Sequence, residues 1–568
     1  MTASYRHGVS LYIVAMAAVV CALGMLVGMP AAWACGGGYN CSDLGNVTEW
    51  QAASGDWLGA SNWTLGIPSR LKAARIDNMG TAILDDDGAA KYLQLGFTAT
   101  GQGILNLTTN ADLQVQCGAD IGADGSGILS QSGGRFSILA GDLCLGYGYT
   151  GLGSYFMNDG VLCTEEGTML GREGQGAFFQ SAGTHRTSHG PVILGRLPGS
   201  YGAYSLNGGS VMAACGEVIG WSGEGDFHQY AGTNTAGGTL YLAYDTNATA
   251  SYYLYDGRLN ASKEVVGSGG LATFLQYGGK NDVCGDLDVA AAASPNSSSY
   301  SIYSGSLVVD GSETIGSGGN ASFYQGGGSQ QIGCTLAVGE LKDSSGWLGL
   351  GGGSVQTRKL SVGAARGSGT LEFDDPSALV SVSDEVTFGS LATLVAVQGS
   401  AIHMTDPLAA FLNESTDTVA LAGLANLEVI FEGGIEYSYD KGCGGGCQPC
   451  GPQPQCNSRP QCGQPAPSCQ SQLQWAVYEV SGADLGKVAA GFSGNFVLEK
   501  LTVGGSKPAA VKLVDRYDNG NRGTSNHEAL YVHNVSVAAG STLDLSSLKV
   551  YADGTVDIQG TVTGGTIK

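Results

Sequence analysis

The chain has 568 residues, 94 of them glycine, with 49 acidic against 26 basic side chains and a formal charge of −23. A surface that acidic repels phosphate backbones and anionic lipid, which argues against a nucleic-acid role. An apolar content of 43% argues against a disordered chain and for a buried core.

At the N-terminus, Arg6 and His7 precede an apolar run over residues 10–29, and Ala32-Trp33-Ala34 supplies a small-residue cleavage site. Residues 1–34 therefore read as a signal peptide, with an uncleaved anchor or lipidation at Cys35 as the alternatives. No later segment is long and apolar enough to span a bilayer as a helix, so no membrane span is expected after cleavage. Residues 35–102 are expected to form a β-rich cap that opens with EWQAASGDWLGASNWTLGIPS, Glu49 to Ser69. The ILDDDG run that follows, Asp85 to Asp87, reads as a charged turn, because it lacks the spaced ligands of a calcium loop.

From Gly103 to Gly389 two glycine marks keep one phase. The first is Gly134, Gly160, Gly183, Gly209, Gly232, Gly257, Gly279, Gly305, Gly328 and Gly353, spaced 26, 23, 26, 23, 25, 22, 26, 23 and 25 residues apart. The second is Gly122, Gly146, Gly171, Gly195, Gly220, Gly267, Gly316, Gly339, Gly363 and Gly389. Between the marks lie strand-length runs such as SYFMN, VLC and TMLG, so each unit of ~24 residues predicts three short strands and three turns. That is one coil of a parallel β-helix, and twelve coils at strand spacing would extend roughly 60 Å. The fold class is thus all-β, a β-solenoid with β-rich caps at both ends. Tyr155, Phe178, Tyr204, Phe227, Tyr252, Phe274, Tyr300 and Phe323 share one phase and predict an internal stack that cements the coils; a sugar-binding face is the alternative.

Cys117, Cys215, Cys284 and Cys334 also share a phase, two or more coils apart. This spacing lies beyond disulfide reach within one rod, and they are expected as small buried core residues. Residues 390–440 read as a continuation of the solenoid. Residues 441–474 form an insert rich in Pro and Gln, with Cys443, Cys447, Cys450, Cys456, Cys462 and Cys469. Such a stretch orders itself only by cross-links, and disulfides, intermolecular ones included, are favoured over a metal site built on Cys447-x-x-Cys450, which has no second CxxC or histidine to complete it. Cys35 with Cys41 is a further candidate pair. Residues 475–568 form a C-terminal β domain in which alternation resumes, as in LYV, VSV and LDL.

The G-x-W…NW…P opening at Trp57, Trp63 and Pro68, the glycine coils and the LYV…GSTLDL ending resemble exported bacterial surface proteins. These carry autotransporter-type β-strand repeats and are abundant in planctomycetes. The resemblance implies an extracellular or cell-surface place and little defined chemistry. Two features of that group are not seen here, a C-terminal translocator barrel and a terminal sorting motif.

Enzymes built on β-helices cluster carboxylates and a basic residue on neighbouring coils. The candidates here are Glu165, Glu166, His185, Arg186 and His189, with Asp142 and His228 as further options, and residues of this kind more often decorate a solvated turn. No cofactor or metal is expected. The function expected is a secreted, non-enzymatic structural or interaction protein, with a glycan-binding adhesin and a polysaccharide lyase or hydrolase as alternatives. Its partners would be envelope components or polysaccharide, and other copies of itself through the Cys-rich insert.

Overall fold

The computed structural model describes residues 46–292, 297–364, 366–435, 437–438, 472–522 and 527–568. The candidate signal peptide, Cys35, Cys41 and the six cysteines of the insert lie outside the described residues. Among those described, almost every element is a strand and none is an α-helix; three short 3₁₀ turns, Ala60–Asn62, Ala422–Asn426 and Ala489–Phe492, are the exceptions. The chain divides into two compact units, one comprising residues up to 381 with 387–400 and 419–423, the other 382–386, 401–418 and 424–568.

Within the first unit, a typical coil places a six-residue strand, a four-residue strand and a three-residue strand around a common interior, the last two merging into one strand in coils such as Thr233–Leu242 and Arg258–Val266. Leu152–Met157, Val161–Thr164 and Thr168–Leu170 form one such coil. Coils stack in parallel and in register: Gly153 lies beside Gly176, then Gly202 and Gly225, and Tyr155 beside Phe178, Tyr204 and Phe227. The six-residue strands form a single sheet of 15 strands, from Ser54–Asp56 to Ala392–Ala396. Along each, side chains alternate between the buried interior and the exterior, as the two-residue period of a strand requires.

Both glycine marks, Gly389 excepted, occupy corners with positive φ, for example Gly160 at 97° and Gly171 at 70°. The L-residues other than glycine enter that region only under strain. The second mark lapses twice between Gly220 and Gly316, and there Ala243 and Ala290 take the same left-handed corner, at φ 51° and 56°. The corner geometry persists where the glycine does not.

The coils number about 19, so twelve is an undercount. Between Gly103 and Gly389 the 15-stranded sheet does contain twelve strands, Gln102–Leu107 to Ser368–Phe373; the missed coils flank them. Upstream, Asn46–Glu49 pairs in parallel with Lys72–Ile76, and Ser54–Asp56 with Gly80–Leu84. The tryptophan-rich opening is part of this stacking: Trp50, Trp57 and Trp63 are buried, with Trp63 edge-on to both others at 4.9 Å.

In the second unit, Leu427–Phe431 pairs in parallel with Leu498–Val503, and that strand with Ala529–Val537. Left-handed residues in these flanks include Met79, Phe496, Ser546 and Ser547, none of them glycine. A count keyed to glycine passes over such coils.

The four cysteines expected in the core do not occupy it as a set. Cys117 is buried but disulfide-bonded. Cys284 is exposed, and Cys215 and Cys334 are half-buried thiols. All four lie in the connection between the second and third strands, where strand parity no longer dictates which way a side chain points.

Candidate functional site

The residues proposed from sequence as an acid/base cluster do not form one. His185 sits on Thr184–Thr187 with its side chain in the solenoid interior and no solvent exposure, while the neighbouring Arg186 points outward. Glu165 and His189 meet on the surface as an ion pair at 2.9 Å, both about half exposed. Asp142 accepts a hydrogen bond from the Gly167 amide at 2.8 Å and so organises a turn. His228 stacks on Tyr253 on the outer face at 4.5 Å. The wall of the coil separates His185 from its supposed partners, because adjacent positions on a strand face opposite sides.

His185 is instead one member of an internal network that the sequence reading missed. Tyr204 donates its hydroxyl hydrogen to Gln180 Oε1 at 2.6 Å, so the 3.1 Å contact between Tyr204 Oη and His185 Nδ1 has the imidazole N–H as donor. His185 Nε2 then accepts from Thr168 Oγ1 at 3.0 Å. Burial drives the imidazole pKa down to about 3, and the ring is neutral with a fixed tautomer.

The same arrangement recurs two coils on. Asn234 Nδ2 donates to Glu217 Oε2 at 3.0 Å and to Tyr252 Oη at 3.1 Å, and Tyr252 donates to Gln229 at 2.6 Å. After two more coils, Asn281 donates to Glu264 at 3.1 Å and to Tyr300 at 3.0 Å. In a fourth rung, Gln330 Nε2 lies 2.8 and 2.7 Å from the two carboxyl oxygens of Glu313. Glu217, Glu264 and Glu313 are buried, as are their amide partners. Burial raises the three carboxyl pKa values to about 7, 8 and 8 respectively.

The aromatic stack inside is the one expected from phase. All eight rings from Tyr155 to Phe323 are buried, with neighbours 4.4–4.9 Å apart and nearly parallel. Tyrosine and phenylalanine alternate strictly, and each phenylalanine from Phe178 to Phe323 is followed two residues later by a glutamine. That glutamine holds the next tyrosine hydroxyl at the first three steps, and its amide donates to turn carbonyls, as Gln180 does to Gly183 at 3.0 Å and Ser210 at 3.1 Å. The true repeat is therefore a pair of coils. Shifting the sequence by 47–49 residues, Glu217 to Glu264 to Glu313, was the signal for the buried acids.

Outside, a second stack was also missed. Tyr230, Tyr255, Tyr277 and Tyr303 run along successive coils at 4.7, 5.3 and 5.3 Å, just past the end of each six-residue strand. These rings are partly exposed, and each inner member of the row covers its faces with its neighbours, leaving ring edges and hydroxyls to solvent. Elsewhere on the surface, Arg172 and Arg196 lie over Tyr147 and Trp221.

An open depression of about 360 Å³ is lined by Leu58, Ile67, Arg70, Asp87, Asp112 and Gln114, and Arg70 there bonds Gln114 at 2.6 Å. In the ILDDDG run, Asp85 accepts from Thr108, Asp86 caps the Asp87 amide at 2.8 Å, and Asp87 begins a strand. Among the described residues no group of three or more His, Cys, Asp or Glu side chains is placed to hold a metal ion, and no helix is long and apolar enough to cross a membrane. No protein-family model, curated protein or solved structure matches the chain.

Proposed function

We propose that this chain is an exported, non-enzymatic structural protein of a bacterial surface or extracellular matrix, of the autotransporter-repeat type its sequence resembles. The observation that carries the reading is the direction in which the repeat points its polar and aromatic residues. Each pair of coils commits a tyrosine, a glutamine and an acid–amide or Thr–His pair to the interior, where they tie coil to coil. A repeat conserved for catalysis would place such groups in an exterior groove, and the acid/base candidates are instead divided between the two sides of the coil wall. The disulfide at Cys117 fits an oxidising compartment. Hydrogen bonds running coil to coil along the stack suit a load-bearing element that resists proteolysis.

The experiment is to fractionate producing cells and quantify the protein in medium, periplasm and washed envelope, with and without reductant. Abundant protein in the envelope or matrix, released on reduction, is the expected result. Scarce protein free in the medium, accompanied by cleavage of a polysaccharide, overturns it.

A glycan-binding adhesin is the second reading, favoured by the exposed tyrosine row rather than by Tyr155 and Tyr204. Sugar recognition there would use hydroxyl edges, since the ring faces are already stacked. Retention on immobilised polysaccharide that is lost in Tyr255→Ala would favour it.

A further inference from the structure

Two atoms in each of the first two acid–amide rungs have no hydrogen-bond partner. Glu217 Oε1 and Asn234 Oδ1 are both buried and unpaired, and so are Glu264 Oε1 and Asn281 Oδ1. In both pairs the other halves of the same two groups are bonded, Asn Nδ2 to Glu Oε2. Two acceptors facing an interior with no donor would each forfeit a hydrogen bond in a low-dielectric core. A single proton removes both deficits, because a carboxylic acid O–H donates where a carboxylate only accepts. The rung then closes as a two-bond acid–amide ring, while the second amide hydrogen continues to the tyrosine hydroxyl, Tyr252 or Tyr300. In the third rung Gln330 Oε1 is likewise buried without a donor beside Glu313.

We propose that Glu217, Glu264 and Glu313 are neutral acids in the folded chain, and that they form an alkali-sensitive lock spaced every second coil along the solenoid interior. The groups that face them are known from each packed strand. The phenols of Tyr204 and Tyr252 lie near Glu217, those of Tyr252 and Tyr300 near Glu264, and that of Tyr300 near Glu313, on which Glu264 itself also acts. Burial is the principal influence on each carboxyl, opposed only by its amide partner, and no lysine, arginine or histidine is among the groups acting on it. Lys263, next in sequence to Glu264, pairs with Asp288 outside the coil wall at 2.8 Å. Raising pH strips a proton that the fold needs and leaves a charge with no cation to meet it. The lock is therefore closed in acid surroundings, loosens as pH rises through neutrality and is strained in alkaline ones.

The test is thermal unfolding of the full chain between about pH 5 and pH 9, for the wild type, Glu264→Gln and Glu217→Gln/Glu264→Gln. Glutamine reproduces both bonds of the ring without a titratable proton. The wild-type midpoint is expected to fall as pH rises, the single variant to fall less, and the double variant, in which Glu313 still titrates, to fall least and be more stable than wild type at the alkaline end. Parallel curves for all three, or a wild-type midpoint that rises with pH, would overturn the proposal. Difference infrared spectroscopy provides a readout independent of variant folding. A protonated-carboxyl C=O band in the wild type at neutral pH, bleached by alkali, is expected, and its absence refutes the neutral acids.

Discussion

The segment SYYLYDG carries three tyrosines within four residues, and they have different fates. Tyr252 is buried between Phe227 and Phe274, Tyr253 stacks on His228 at the outer face, and Tyr255 joins the exposed row between Tyr230 and Tyr277. Inner and outer stacks have similar ring spacing, about one coil, because that spacing is set by the strand-to-strand distance rather than by the rings. What differs is water. The inner stack has none, so its rings contribute full burial and every hydroxyl needs a partner. The outer stack leaves edges and hydroxyls solvated, so its rings add contact area but few obligations.

Cutting the inner stack should have the larger effect. Phe227→Ala removes a fully buried ring between Tyr204 and Tyr252 and leaves a cavity that neighbouring coils, held in register on both sides, cannot close. A loss of about 3–5 kcal/mol in denaturant unfolding is expected. Tyr204→Phe keeps the ring and deletes only the hydroxyl, stranding Gln180 Oε1 and the His185 N–H in the core. The expected loss is about 1–3 kcal/mol, and a value near zero would show that the internal hydrogen bonds are incidental to the stack.

A smaller effect of opposite sign is expected at the corner that aligns the coils. Ala243→Gly relieves a left-handed alanine and should stabilise by about 0.5–1 kcal/mol, measured as a raised midpoint. The smallest change belongs to the outer stack. Tyr255→Ala should shift unfolding by less than about 1 kcal/mol. A loss as large as that of Phe227→Ala would erase the distinction between the two stacks.

The interior acids sharpen the same contrast through pH. Each folded-state pKa is raised above the ordinary 4.5, so the folded chain holds protons that the unfolded chain has released. Stability is full below about pH 4.5 and declines as pH rises toward about 7 for Glu217 and about 8 for Glu264 and Glu313. The slope is about 1.4 kcal/mol per pH unit for each titrating carboxyl. His185 works the other way at low pH: its pKa is depressed to about 3, so below the ordinary 6.5 the unfolded chain takes the proton more readily. The outer tyrosine row has no comparable buried acid, and substitutions there should leave the pH profile unchanged.

Much of the fold was legible in the residues themselves. Glycine at Gly160 and Gly171 marks corners that other residues enter only under strain, so their spacing counts coils directly. The count stopped at the ends because Met79 and Ser546 make left-handed turns without that mark. The inner aromatic phase was legible for the same reason, since a run of eight rings at one position of the coil is an economical way to fill an interior. The candidate site was less so. His185 and Arg186 are adjacent in sequence, and proximity along the chain suggested one cluster, whereas alternation along the strand sends them to opposite sides of the wall.

By itself, then, the sequence determined the repeat, the strand-and-corner pattern and the parallel stacking, because these follow from local backbone preferences and a period that adds coil after coil. Only the tertiary structure decided which side of the wall each polar group faces and which groups meet across coils. Glu264 and Asn281 lie 17 residues apart and bond each other, while Asn281 also donates to Tyr300 of the next coil, which in turn donates to Gln276. Their neutrality is a property of the dry interior those coils enclose, and no stretch of chain has that property until the coils are stacked.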